Sequence, residues 1–325
     1  MPIRLRIATF NLENLDDDSD EPTLDQRIAV MRPQFLRIDA DILCLQEVNA
    51  QEQNGGRELV ALNKLLSGTK YEGYAHTVYT DPQNSDDERN LVIRSHYPIV
   101  ESEEYRNSIT PAPSYKKVTA DPPMQRASKV RWERPILYAK LRLRDQVDLH
   151  VINLHLKSRI PTNIRGQKIN RYKWRRADAW AEGFFVSSMK RVGQALETRQ
   201  LIDQLFDADK KALIAVCGDF NADLDDVPVE AIRGDVENTG NGDLAERVMI
   251  PCERTVPEPS RFSLLHHGKG NMLDHLLVSR SLLAYYKGSE IHNEVLHDET
   301  IAFAMDIKYP ESDHAPVVAE FEIPD

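Results

Sequence analysis

Eight stretches of the chain alternate apolar with polar residues or run as short apolar blocks: 4–11 (RLRIATFN), 41–47 (DILCLQE), 90–95 (NLVIRS), 136–143 (ILYAKLRL), 148–156 (DLHVINLHL), 212–221 (ALIAVCGDFN), 273–279 (LDHLLVS) and 316–322 (PVVAEFE). A strand turns successive side chains to opposite faces, so all eight are predicted strands, most of them rich in Val, Ile and Leu. Apolar residues recur at helical spacing in 23–38, in 56–67 and most strongly from about Trp174 to Phe206, which predicts three helices. Polar or Pro-rich runs at 81–89, 110–125 and about 223–260 predict loops. No short-period repeat or low-complexity tract interrupts this order. The strands are joined both locally and over long distances, with few helices between them. That pattern predicts an α/β fold of two packed mixed sheets with helices outside, rather than a doubly wound single sheet.

Length and composition narrow the class. With 325 residues, 41% of them hydrophobic, the chain can bury a large core, which excludes a disordered protein. No stretch approaches the roughly 18 apolar residues of a membrane span, and a soluble, cytoplasmic protein is expected. Cys44, Cys217 and Cys252 are odd in number and lack short metal-ligand spacing, so neither a disulfide framework nor a zinc knot is indicated. Cys44 and Cys217 lie inside apolar runs and are expected to be buried. The net charge of −11 argues against a general nucleic-acid coat. Its distribution is uneven, because residues 157–176 hold eight Lys or Arg and no acid. The rest of the chain therefore carries about −19.

The candidate chemistry lies at strand ends. Asn11, Glu47, His155, and Asp219 with Asn221 each close an apolar run, while Asp274 opens one and Ser312-Asp313-His314 precedes another. Buried strands do not need such ends, and a rigid sheet aims groups placed there into one crevice. Strands of opposite direction let starts and ends share an edge. Because these residues span 11 to 314 and must converge, and no linker divides the chain, residues 1–325 are expected to form a single domain.

The motifs TFNLEN, LQEV, VINLHLKS, CGDFNAD, MLDHLLVS and SDHAPV, in this order from residue 6 to 318, resemble the successive motifs of the endonuclease/exonuclease/phosphatase superfamily. The resemblance implies a four-layer α/β sandwich, a divalent metal, Mg²⁺ or Mn²⁺, and hydrolysis of a phosphate ester. It assigns Glu47, Asn11 and Asp313 to the metal, an oxygen set that suits Mg²⁺. It makes His314 the general base that activates water, with Asp274 fixing its tautomer. Asp219 would orient the water or assist the leaving group, and Asn221, two positions on along an extended segment, would donate to phosphate. His155 would stabilise the transition state or protonate the leaving oxygen, with Asn153 facing the same way and also touching phosphate. ERNLVIRS resembles the strand that orients this histidine, which offers Glu88 for that role and Asn90 as a phosphate contact. KVRWERP resembles the family's arginine-rich segment, with Arg134 taken as the phosphate contact and Arg131 as the alternative.

Several features have plainer readings. His266 and His267 are adjacent, so their side chains diverge, and they are read as loop residues bordering the site. The basic run 157–176 reads equally as the solvated start of the long helix. Trp174, Trp180, Phe184 and Phe185 are expected in the core. The leading function is metal-assisted cleavage of a phosphodiester by in-line attack, with DNA or RNA as a candidate substrate, because the basic run and its aromatic residues suit a polyanion. Overall acidity favours a small-molecule or lipid phosphatase of the same fold instead. A catalytically silent binding protein would be expected to lack one of Glu47, Asp219, Asn221, Asp274 or His314, and all are present. Oligomeric state is not encoded in any of these patterns.

Overall fold

A computed structural model of the protein describes residues 2–17, 21–53, 56–78 and 89–324. Its principal strands are β1 (Ile3–Leu15), β2 (Ile42–Val48), β3 (Ala75–Val78), β4 (Asn90–Ser95), β5 (Ile99–Tyr105), β6 (Ile136–Arg144), β7 (Val147–His155), β8 (Leu213–Asp219), β9 (Met249–Pro251), β10 (Asp274–Ser279), β11 (Tyr286–Ile291) and β12 (Val317–Ile323). All eight predicted strands are among them. They form two six-stranded sheets, ordered β11-β12-β1-β2-β4-β3 and β9-β10-β8-β7-β6-β5. Each sheet has one central parallel pair, β1 with β2 and β7 with β8, and antiparallel neighbours elsewhere.

A parallel pair needs a long crossover, and helices supply both. The helix α1 (Leu24–Ile38) links β1 to β2, α2 (Val60–Leu66) packs beside it, α3 (Ala177–Ala208) links β7 to β8, and α4 (Val227–Arg233) follows β8. Thr23 and Gln26 close a capping box at the start of α1. Alternation along the strands then sorts three apolar cores. Leu5, Ile7, Leu149, Val151, Ala215 and Val278 fill the space between the sheets. Ala8, Phe10 and Leu43 meet α1 and α2 on one outer side, and Ile152, Leu154 and Val216 meet α3 and α4 on the other. The result is the expected four-layer sandwich. Cys44, Cys217 and Cys252 are free and buried.

The differences from the sequence reading have local causes. Gly56–Glu58 pairs with Gln51–Gln53 as a short ribbon, so α2 starts only at Val60. The long helix starts at Ala177, because Lys168 and Trp174 pair as an extended bridge just before it. The basic run is therefore not a helix face. The 223–260 stretch holds α4, shorter helical turns and β9. Trp180, Phe184 and Phe185 are 47%, 42% and 49% exposed, the opposite of a core placement. No helix among the described residues is long and apolar enough to cross a membrane.

Candidate active site

The two parallel pairs end at the same edge of the sandwich. Asn11 and Glu47 come from the first sheet, His155 and Asp219 from the second, where Asp219 stands in register with both His155 and Asp274. The approach of β8 to β7 here depends on Gly218, whose φ is +141°; an added Cβ would stand 2.0 Å from the carbonyl oxygen of Leu154. At the last residues of β1 and β2 and just past β8 the backbone is bent sharply. Glu13, Asn14, Glu47 and Asn221 all adopt left-handed φ, from 46° to 55°. Non-glycine residues pay for that conformation, and such strain gathers where side chains must be aimed.

The contacts that make the site join residues within each sheet and from one sheet to the other. His314, just before β12, places Nδ1 2.6 Å from Asp274 Oδ2 at the start of β10. Asn11 Nδ2 donates to Asp219 Oδ2 at 3.2 Å. Glu47 Oε1 lies 3.7 Å from His155 Nε2 and 3.9 Å from Arg134. His155 Nε2 is 3.3 Å from Asp219 Oδ2. The free Nε2 of His314 faces Asp313 at 3.9 Å and Asp219 at 4.0 Å. Ser312 Oγ donates to the carbonyl of Asn11 and accepts from the amide of His314, fixing the loop to β1.

Burial raises the acids of the site. Burial pushes Asp219 up to about 7, and burial together with the charge of Asp313 pushes Glu13 up to about 8. Asp313 is raised by burial and by Glu47. His314 also loses by burial, but the carboxylates of Asp274 and Asp219 outweigh that loss and hold it well above the usual histidine range. His155 goes the other way, lowered by burial and by Arg134, so its imidazole is neutral in the free protein. Its Nδ1 has no partner among the described residues, and Glu88, the expected partner, lies outside them.

Most expected site residues converge here, with two corrections. Asn153 does face the same way as His155, but its amide is spent between the sheets. It accepts from Gln46 at 2.7 Å and donates to the carbonyls of Leu45 and Val92 at 3.0 Å, which makes it a sheet-to-sheet tie rather than a phosphate contact. Asn221 is not on an extended segment. Its left-handed turn folds its amide back onto Asp219 and the carbonyl of Leu156, at 3.0 and 3.1 Å. Asn90 is buried and donates to the carbonyl of Val48. Of the two alternatives, Arg134 points at Glu47 and Arg131 is exposed. Sequence reasoning missed Glu13, which accepts from the amide of Asp313 at 3.0 Å although it stands inside the TFNLEN motif. It also missed Arg27, a buried guanidinium from α1 that donates to the carbonyls of Leu12 and Glu13 while its charge faces Glu13, Asp313 and Glu47. Glu13, Arg27 and Arg89 line a cleft of about 340 Å³ beside the site.

One group of three side chains among the described residues brings metal-ligating atoms together. Asp219, Asp274 and His314 each offer an atom within 4.8 Å of the others. Asp274 and His314 already share a short hydrogen bond, which a metal at that position would break. Glu47 and Asp313 offer carboxylate oxygens of the kind Mg²⁺ takes, while Asn11 Oδ1 already accepts the amide of Glu13 at 3.0 Å.

The sequence matches the profile of the Endonuclease/Exonuclease/phosphatase family over residues 8–314. No curated protein matches the sequence. Among solved structures, an endonuclease/exonuclease/phosphatase family protein from Bacteroides thetaiotaomicron superposes with TM-score 0.60 at 17% identity, covering 100% of this chain and 96% of that one. A humanized D. rerio TDP2 gives 0.56 at 15%, covering 98% of each chain. A mannosyl-6-phosphatase from Bacteroides thetaiotaomicron gives 0.59 at 16%, covering 98% of this chain and 100% of that one. At these identities the likeness is one of fold, and the match over residues 8–314 carries the assignment: the chain belongs to the endonuclease/exonuclease/phosphatase family.

Proposed function

We propose that this protein is a divalent-metal-dependent phosphodiesterase, nuclease-like, that cleaves its ester by in-line attack of a water activated by His314. The observation that carries the reading is the His314–Asp274 pair at 2.6 Å, with the free Nε2 of His314 facing Asp313 and Asp219. Once the imidazole is neutral, at a pH above its raised range, Nε2 can take the proton of the attacking water, and Asp274 stabilises the imidazolium that results. Asp219, poised near 7, can give a proton to the leaving oxygen at neutral pH. Arg134 and His155 border the place where the phosphoryl oxygens gain charge. Glu47, Asp313 and Asn11 would hold Mg²⁺ or Mn²⁺, which supplies charge neutralisation to the phosphoryl group when bound. Both sheets contribute to this one site, which supports reading residues 1–325 as a single domain.

A second reading, a phosphomonoesterase for small substrates, draws on the net charge of −11 and on the fold shared with the mannosyl-6-phosphatase. Steady-state hydrolysis of bis(p-nitrophenyl) phosphate and p-nitrophenyl phosphate, with Mg²⁺ and with chelator, separates the two. The diester is expected to be cleaved faster, and only with metal. Monoester turnover that far exceeds diester turnover would transfer the assignment to the second reading, and full activity in chelator would remove the metal from both.

A further inference from the structure

The basic run 157–176 begins two residues after His155, and the fold gives it a definite shape. Residues 167–175 turn back on themselves as a short arm: the amide of Arg175 donates to the carbonyl of Gln167, that of Ile169 to Lys173, and Asn170 Oδ1 accepts the amides of Tyr172 and Lys173 at the tip. The base of the arm is anchored. Gln167 Nε2 donates to the carbonyl of Thr119, and Asp121 and Arg165 are joined through their backbones beside Gly166, where a Cβ would meet Asp121 O at 2.0 Å.

The charges divide into two groups. Lys157 is near Glu133, Arg159 pairs with Asp223 and Asp226, and Arg176 pairs with Asp178. Arg165, Lys168, Arg171, Lys173 and Arg175 form no ion pair among the described residues. Between them stands Tyr172, 62% exposed, with Arg171 over its ring. Its edge meets Phe303, 64% exposed, with ring centroids 5.1 Å apart. Phe303 lies on α5 (Glu299–Met305), in the segment that leads to Asp313 and His314. One ring thus leaves the His155 side of the edge, the other the His314 side, and they meet in solvent.

Resting on the phosphodiesterase reading, we propose that Tyr172 and Phe303 form a base-stacking subsite and that the four cations of the arm, Lys168, Arg171, Lys173 and Arg175, track the backbone of a single-stranded polynucleotide leading into the site. An exposed ring pair set among unpaired cations answers a ligand that alternates planar apolar faces with phosphates, and a single strand leaves those faces open. A duplex would hide them.

Anisotropy of a fluorescein-labelled oligothymidylate, titrated with the intact protein in chelator over a salt series, tests this. Binding is expected to weaken with salt by a slope of about 0.7 for each phosphate engaged. Tyr172→Ala and Phe303→Ala should each weaken it roughly 5- to 100-fold without changing the slope, and Tyr172→Phe should restore it. Replacing Lys168, Arg171 and Lys173 by Gln should flatten the slope. Hydrolysis of bis(p-nitrophenyl) phosphate should stay unchanged in every variant. Binding indifferent to both ring truncations, equal affinity for a blunt duplex, or binding to phosphatidylserine vesicles in place of the oligonucleotide overturns the subsite. Oligonucleotide binding that depends on the rings, in a protein without diesterase activity, would instead overturn the phosphodiesterase reading and leave the subsite standing.

Discussion

His314 and Asp274 lie 40 positions apart and act through one hydrogen bond. His314→Ala and Asp274→Asn should therefore each lower kcat by about 10²- to 10⁴-fold, and the double variant should lose little more than the worse single one. Multiplying losses would show that the two residues do not form a unit. Glu47→Gln and Asp313→Asn should abolish most turnover with Tm unchanged or raised, since each removes a half-buried charge that a cation, not the core, requires; a fall in Tm that tracked the fall in activity would make them structural. These positions were legible in the sequence because an acid or imidazole at the end of an apolar run has no place in a core. Asn153 gave the same signal for another reason: a buried amide between two sheets also needs a polar type, and sequence alone does not say where its four hydrogen-bonding positions are satisfied. Arg27 gave none, since its role comes from the crossing of α1 over the end of β1.

Among the elements, strands whose two faces are covered were the easiest to read, as in β2 and β8. The edge strand β5 was missed because Val100 to Glu104 are exposed, which leaves no apolar alternation to detect. The arm was missed because its hydrogen bonds, not its composition, make it. The helix α3 shows how an element reaches the site at a distance. The carboxylate of Glu197 is buried and accepts the amides of Asn107, Ser108, Ile109 and Thr110 and the indole N–H of Trp132. Trp132 lies flat on Gly193, where a Cβ would come within 2.2 Å, and Gln194 holds the carbonyls of Arg134 and Pro135. Glu197→Ala strands five donors, so urea denaturation should show a loss of about 3 kcal/mol. Because Arg134 is carried by the same loop, KM should rise in this variant more than kcat falls. A stability change under about 0.5 kcal/mol would mean that the loop stands without the clamp.

The whole molecule carries its strain as charge. Asp219 at about 7 and Glu13 at about 8 keep protons that the unfolded chain releases near pH 4, so the native state binds more protons across that window and stability falls as pH rises. His314, also raised, has the same sign: its contribution is complete below about 6.5 and is lost as pH climbs through its folded value. His155, lowered, opposes this only below about 6.5. In chelator, Tm should thus decline from pH 5 to 8, and Mg²⁺ should recover several degrees at pH 8 and little at pH 5; a flat profile in chelator would count against the buried acids as drawn. The fold class and its two packed sheets were legible at this scale, while the order of the strands within each sheet was not, because it resides in long-range pairing and not in any local pattern. The contacts from His314 to Asp274, Asn11 to Asp219 and Glu47 to His155 all cross from one sheet to the other. A bound metal and phosphate would therefore act as a clasp, slowing the breathing of the two leaves around Cys44 and Cys217, and occupancy at the rim would be felt as slower amide hydrogen exchange deep in the sandwich, where no ligand reaches.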